Sequence, residues 1–463
     1  FPFLFFLLIP LATYTTYMYE LVTVLLRNEN DLRRFSRVGV RKIRSAATKD
    51  NTCSNSFSKH MSSNNKITAS EKKSIILVIP SISYGGAELQ VLLQTHSLIQ
   101  AGYSTYLLVT SDKIDTELLS KYQIPESNVL KLNSRIYNLD MKSLWYSVRT
   151  AKTFRKLIAP YRPALLFANL PVSHFICRVA KLFDKSGIVL IPYHHSMQYE
   201  ASPINTTGKK IFNYLNRLIA KKTDDGAICI SQAVKNNIAD NFYLANPEVI
   251  YNAIPEKTVS EKEAVDYCDK HGIKRKPFNI VVPGRLHHVK GQMFFVKAFA
   301  EWVSRYDISP GSINVVLAGG GNQFEAISAE IDRAGLRDFI HITGFVENTQ
   351  LLSWIKWADL VVIPSLNEGL GIVAIECLMS GSLVLASQTG GLKEVILDGN
   401  NGFTFKTADE DDFIQKLNNI YNTKNVTLID RDRIIDSYRQ RFSFEIHLKQ
   451  LEKLINSFGN FKN

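Results

Sequence analysis

The sequence predicts an α/β protein of two doubly wound, Rossmann-like domains that face each other across a cleft. Three observations predict it. From Ser74 onward, short apolar runs alternate with stretches at helical spacing. The same alternation restarts near Asn279. Between the two, residues 256–277 are charged and polar and end in Lys274-Arg275-Lys276-Pro277, which reads as an interdomain linker. Alternating strands and helices bury their apolar faces as a parallel sheet with helices on both sides.

The N-terminal half, 74–260, opens with a strand at Ile75–Ile79. Gly85-Gly86-Ala87-Glu88 starts a helix that runs to about Ala101, where Gly102 ends it. A strand at Ser104–Thr110 comes next, then strands at Ala164–Asn169, Ile188–Tyr193, Gly226–Ile230 and Glu248–Tyr251. Ser231 is placed to cap a helix at Gln232–Ala239, because its hydroxyl can accept from a free backbone N–H. In the C-terminal half, 275–440, strands are expected at Asn279–Val282, Asn314–Leu317, Phe339–Ile342, Leu360–Ile363 and Leu383–Ala386. A helix is expected from about Gln292 to Ser304. Residues 441–463 carry a last helix, with its periodicity at Phe444–Phe458.

The chain has 463 residues, enough for two or three domains. Its net charge of +12 suits anionic ligands: a diphosphate, an anionic membrane surface or nucleic acid. The bland alternative is charge that only keeps the protein soluble. The five cysteines are widely spread with no CxxC pair, so neither a zinc site nor a disulfide framework is implied. This usage suits a reducing compartment.

Residues 1–26 are strongly apolar, with a lapse at Thr13–Glu20, and a basic cluster comes after them: Arg27, Arg33, Arg34, Arg37, Arg41, Lys42 and Arg44. About 20 apolar residues can span a bilayer. The stretch is therefore a candidate membrane segment, and the basic residues would hold the downstream domains at the cytoplasmic face. Two rival readings stand beside it. One is a cleaved signal peptide, although the positive n-region is missing. The other makes Met61 the true start. Residues 27–73 read as a basic, disordered linker, rich in Ser, Asn, Lys and Thr from 45 onward.

Five loops carry the residues with chemistry. Gly284-Arg285-Leu286-His287-His288-Val289-Lys290-Gly291 lies directly after a strand, where such folds bind ligands. Arg285 offers a bidentate fork and Lys290 a point charge, both suited to a diphosphate. Taken alone, two cations here are more often surface charges. Asn367-Glu368-Gly369-Leu370-Gly371-Ile372 comes after Leu360–Pro364 and opens a helix that Gly381 should end. Glu368 sits on the loop, and Glu376 is expected about two turns into the helix. A helix N-terminus suits phosphate, and carboxylates beside it suit sugar hydroxyls. The plain alternative is a pair of glutamates that only satisfy the helix dipole. Gly85-Gly86 lets backbone approach a phosphate but is common. His194-His195 ends a strand facing the cleft, and Thr389-Gly390-Gly391 is another phosphate-compatible turn, with Glu394 after it.

Each signal is modest alone, but their order is specific. From about Lys73 to Phe458 the chain resembles the family 4 retaining glycosyltransferases of the GT-B fold. The motifs are Gly85-Gly86-Ala87-Glu88, His194, the hinge Ile250-Tyr251-Asn252-Ala253, Arg285 to Gly291, Gly344-Phe345-Val346, Glu368 to Glu376, and Gly390-Gly391 with Glu394. The hinge departs from the family's Asn-Gly by carrying Asn252-Ala253, so no positive φ is expected there.

The resemblance implies a retaining transferase for a nucleotide-sugar, UDP- or GDP-linked, with a saccharide or lipid-linked acceptor, as in polysaccharide biosynthesis. It implies that Glu376 holds the ribose. Arg285, Lys290 and the backbone at Leu370, Gly371 and Ile372 hold the diphosphate. Glu368 holds the sugar, Val346 lies near the base, Gly86 lies near the donor and His194 is catalytic. Neither a metal nor a further cofactor is implied, because Arg285 and Lys290 supply the positive charge. Nucleic acid is not an expected partner. Two other classes remain: a non-catalytic nucleotide-sugar-binding protein, and an NAD-dependent oxidoreductase. The latter would need a GxGxxG that Leu317-Ala318-Gly319-Gly320-Gly321 only approaches.

Overall fold

A computed structural model of the chain describes residues 73–201, 204–423 and 428–459. The candidate membrane segment 1–26 and all but the last residue of the linker 27–73 lie outside the described residues. Among the described residues no helix is long and apolar enough to cross a membrane.

Two parallel sheets form the frame. The first holds β1 (Ser74–Ile79), β2 (Thr105–Val109), β3 (Val129–Lys131), β4 (Pro163–Asn169), β5 (Val189–His194), β6 (Ala227–Cys229) and β7 (Pro247–Val249). The second holds β8 (Phe278–Pro283), β9 (Ile313–Ala318), β10 (Ile340–Ile342), β11 (Leu360–Ile363), β12 (Val384–Ser387) and β13 (Phe403–Phe405). Their orders are β3-β2-β1-β4-β5-β6-β7 and β10-β9-β8-β11-β12-β13. Every residue of β1 and β8 is buried, on both faces of its sheet, which is why the sequence reads there as a continuous apolar run rather than an alternation.

The stretch 256–277, expected as a linker, is corrected by the structure. It contains the helix Glu261–Lys270, nucleated by a capping box between Ser260 and Glu263. Ala264 and Cys268 on this helix are buried, and Tyr267 meets Trp354 edge to face at 5.7 Å. The helix therefore packs on the C-terminal half. The final helix, Phe444–Ser457, does the opposite and returns to the N-terminal half. Its His447 Nδ1–H donates to the Tyr251 carbonyl at 2.7 Å, which leaves Nε2 to accept from the Gln90 and Gln94 amides at 3.2 and 2.9 Å. Burial pushes this imidazole down to about 4, so it is neutral at neutral pH. Ala253 N–H donates to Gln90 Oε1, and no positive φ occurs at Asn252 or Ala253.

Candidate active site in the interdomain cleft

In both sheets the chain winds outward in two directions from a central pair, β1 with β4 and β8 with β11. The carboxyl ends of such pairs leave a crevice where the strand order reverses. Tyr84 to Gly86 and Asn169 lie at the first crevice, and Gly284-Arg285 and Ser365 to Glu368 at the second. All ten residues singled out from the sequence lie on described segments, and nearly all sit on loops after strands of these sheets or at a helix start.

The cationic loop is held down by backbone. Gly284 N–H donates to the Ala318 carbonyl and Leu286 N–H to the Gly320 carbonyl. Gly291 has φ 71°, and a Cβ there would lie 1.9 Å from the Pro364 carbonyl oxygen, so only glycine lets this loop press onto the one after β11. That contact brings Lys290 Nζ to 2.6 Å from Glu368 Oε2, with Ser365 Oγ donating to the same oxygen at 3.3 Å. The sequence motifs assign these two side chains to neighbouring parts of a ligand. In the free protein they neutralise each other. Arg285 on the same loop is exposed; its carbonyl accepts from Gln292 Nε2 at 3.1 Å, and its guanidinium has no hydrogen bond or ion pair among the described residues.

The helix after β11 begins at Ile372, later than expected. Gly371 has φ 97°, which keeps Gly369-Leu370-Gly371 out of the helix. Glu376 is therefore about one turn in, not two. It is buried, and desolvation raises its pKa to about 7 against a smaller opposing pull from Lys257. A carboxylate half-protonated at neutral pH and lacking a cation in contact is one that a hydroxyl-bearing ligand can ionise.

The Thr389-Gly390-Gly391 turn is filled rather than open. A Cβ at Gly390 would lie 2.0 Å from the Glu368 carbonyl oxygen, and Gly391 N–H donates to that oxygen at 3.0 Å. The turn supports the Glu368 loop from below. Glu394 crosses to the other half, where it accepts from Gln232 N–H at 2.9 Å, Ala233 N–H at 2.8 Å and the Tyr251 hydroxyl at 3.1 Å. It shares the cap of the helix Gln232–Asn241 with Ser231, whose hydroxyl accepts from Val234 N–H and donates to the Gly369 carbonyl. No local signal in the sequence marks Glu394 for this, because its partners lie over 140 residues away.

On the N-terminal side, a Cβ at Gly86 would come within 3.0 Å of Ile372, so the first loop abuts the helix start of the opposite half. His194 is 4% exposed. Its ring meets His174 edge to face at 4.7 Å, and its Nε2 is buried with no hydrogen-bond partner. His195 stacks on Tyr193 and bonds Asn169 Oδ1 through Nε2 at 2.8 Å. Its carbonyl, not that of His194, lies 3.1 Å from where a Gly369 Cβ would stand. Burial pushes both imidazoles down to about 3, so neither carries charge at neutral pH. Val346 is half-buried and packs on the apolar core. Asp224 and Asp225 are paired with Arg178 and Lys181. Among the described residues no three His, Cys, Asp or Glu side chains cluster as a metal site.

Two facing doubly wound domains with a cation–carboxylate pair at the mouth of the cleft define a GT-B protein. Comparison with known proteins agrees. The Glycosyl transferases group 1 family profile matches residues 266–441, and that of Glycosyltransferase Family 4 matches residues 84–257. The chain belongs to the family 4 glycosyltransferases. An uncharacterized glycosyltransferase of Methanocaldococcus jannaschii is 30% identical over 38% of this chain and 45% of its own length. A D-inositol 3-phosphate glycosyltransferase of Paenarthrobacter aurescens is 29% identical over 38% of this chain and 42% of its own. The chain thus spans less than half the length of these curated relatives. Among solved structures, Anabaena HepE in complex with UDP superposes with a TM-score of 0.69 at 19% identity, covering 83% of this chain and all of that one.

Proposed function

We infer that the protein transfers a sugar from a nucleotide-sugar, UDP- or GDP-linked, to a hydroxyl acceptor, with retention at the anomeric carbon and without a metal. The single observation that carries the reading is the Lys290–Glu368 pair at 2.6 Å, on the loops before a helix whose first turn leads to the uncharged-tending Glu376. A donor would part the pair. Its diphosphate takes Lys290 and Arg285, its sugar hydroxyls take Glu368, and its ribose takes Glu376. The bond from the anomeric carbon to the phosphate oxygen breaks, and the acceptor oxygen bonds to that carbon from the same face. The acceptor proton passes to the departing phosphate, whose charge Lys290, Arg285 and the N–H groups from Leu370 to Ile372 stabilise. His194, neutral and with an unpaired Nε2, would hydrogen-bond the sugar.

The acceptor reading is a lipid-linked saccharide at an anionic membrane. It rests on two neighbouring helices of the N-terminal half, Met141–Ile158 and Thr207–Thr223, which together hold ten Lys and Arg and no Asp or Glu. Tyr146 and Tyr214 stand exposed on them. A thermal-shift and hydrolysis screen over UDP- and GDP-sugars tests the donor. One sugar nucleotide should raise the melting temperature and release its nucleoside diphosphate, with excess chelator present. Failure of every one to stabilise the protein would sink the reading. Binding without turnover in the presence of any acceptor would favour a binding protein.

A further inference from the structure

The loop from Glu368 to Gly371 is held by the opposite half as well as by its own. The carbonyl of Gly369 is boxed in. A Cβ at Gly391 would lie 2.2 Å from its oxygen, and the Ser231 hydroxyl donates to it at 2.6 Å. A Cβ on Gly369 itself would stand 3.1 Å from the His195 carbonyl oxygen and 3.4 Å from Ser196 Cα. Ser231, His195 and Ser196 all belong to the N-terminal half, on the segments after β6 and β5.

Ser231 is buried and is itself fixed by the helix it caps. Its oxygen accepts from Val234 N–H at 3.0 Å, while the Gln232 and Ala233 N–H groups go to Glu394. The start of this helix is therefore fully occupied, and the hydrogen of the Ser231 hydroxyl is left for Gly369. The peptide that joins Gly369 to Leu370 is planar and trans, so its C=O and N–H point in opposite directions. Fixing the carbonyl on Ser231 fixes the direction of the Leu370 N–H on the far side. Leu370 is 1% exposed, and the N–H groups of Leu370, Gly371 and Ile372 have no hydrogen-bond partner among the described residues. Backbone N–H groups left unpaired around a buried side chain are rare in a folded chain, and they mark a place for an acceptor.

We propose that Ser231 is a positioning residue for the donor: its hydroxyl, reaching across from the N-terminal half, sets the Gly369–Leu370 peptide so that the N–H groups after it meet the diphosphate. The proposal rests on the nucleotide-sugar reading. Ser231 touches neither the donor nor the reacting atoms. It acts through one peptide plane, next in sequence to Glu368 on one side and to the free N–H groups on the other. The phosphate site is then complete only where the two halves meet, although every group that contacts the phosphates belongs to the C-terminal half.

Calorimetric titration of the full chain with inorganic pyrophosphate, UDP and GDP, together with turnover of UDP- and GDP-sugars, tests this. Glycine caps a helix almost as well as serine, so Ser231→Gly should melt close to wild type. A net hydrogen bond is worth up to about tenfold, so this variant should raise the pyrophosphate Kd and lower kcat by up to about that factor. Ser231→Thr, which keeps the hydroxyl, should restore both. Ser231→Ala should match Ser231→Gly in affinity and kcat yet melt lower, because alanine is a poor cap. Wild-type pyrophosphate affinity and kcat in Ser231→Gly would overturn the proposal. Losses that track the melting temperatures of the three variants, rather than the presence of the hydroxyl, would overturn it too. If the wild-type chain melts cooperatively and binds none of the three probes, the nucleotide-sugar reading itself fails.

Discussion

The two halves share a winding pattern, three strands outward one way and three the other, with β7 added to the first sheet. They differ in what they place on it. Over residues 73–260 Lys and Arg outnumber Asp and Glu by 21 to 13, whereas over 261–459 the acids lead by 25 to 22. The C-terminal half sets Arg285 and Lys290 on a loop that Gly291 locks against the loop after β11, while most of its other cations lie on helices. The N-terminal half spreads its cations over the outer faces of helices. One scaffold thus serves a localised site in one half and a diffuse field in the other. The lesson is that fixed loops, not the sheet, separate the two kinds of electrostatics.

Breaking the localised site should have the largest effect. Arg285→Ala or Lys290→Ala should lower turnover by about 10²-fold or more, the usual cost of losing one stabiliser of a leaving group. Because both lie on loops, the melting temperature should hold. Near-normal turnover in either variant would remove the clamp from the mechanism.

The two glutamates sharpen the comparison within the C-terminal half. Glu376→Ala should weaken free nucleoside diphosphate, and Glu368→Ala should spare it while lowering turnover of the sugar nucleotide. The burial of Glu376 adds a pH signature. Its pKa is raised to about 7 in the free protein, so the folded state holds the proton over a range where the unfolded chain has lost it. Stability from this group is present below the usual carboxylate range and is lost as pH rises through about 7. Nucleotide binding needs the ionised form, so affinity should fall by up to about tenfold per unit below that pH. Glu376→Gln should flatten that part of the profile. An unchanged slope in the variant would assign the titration elsewhere.

Next comes the seam between the halves. His447→Ala leaves the Gln90 and Gln94 amides and the Tyr251 carbonyl without their buried partner, at a cost of about 1–3 kcal/mol. The wild-type imidazole is held near 4, well below its unfolded value, so its contribution is present above about 6.5 and lost as pH falls toward 4. Melting curves between pH 4 and 7 check both, and a variant that melts like wild type at pH 7 would dismiss the network. Glu394→Gln should cost less, about 1 kcal/mol, as a weakened helix cap.

The diffuse field should give the smallest effect on chemistry. Lys210→Glu with Lys221→Glu should abolish salt-sensitive sedimentation with vesicles rich in anionic lipid and leave turnover of a water-soluble acceptor within about twofold, since exposed charges beyond a Debye length, roughly 10 Å, are screened. Salt-resistant sedimentation of the double variant would locate attachment elsewhere.

Much of the C-terminal half is legible because its strands are uninterrupted apolar runs; Leu360–Ile363 stands as expected. The strands β3 and β13 escape because three residues carry no period. The helix Glu261–Lys270 reads as linker because only two of its residues are buried. The candidate residues are legible as types on loops. Their pairing is not, because Lys290 and Glu368 meet across 78 residues and Gln90 and His447 across 357, and local pattern holds no information at that range.

That last separation also orders events during synthesis. The N-terminal half has emerged by about residue 260, yet Leu451, Leu454 and Ile455, which complete its apolar wall, come from Phe444–Ser457. At the usual rate of translation some 184 residues take roughly 10–40 s. For that time the nascent half exposes Gln90, Gln94 and the apolar surface around them. The nascent first domain therefore stays sticky until Phe444–Ser457 has been made, and a chain truncated shortly before Phe444 should be a client for chaperones rather than a smaller enzyme.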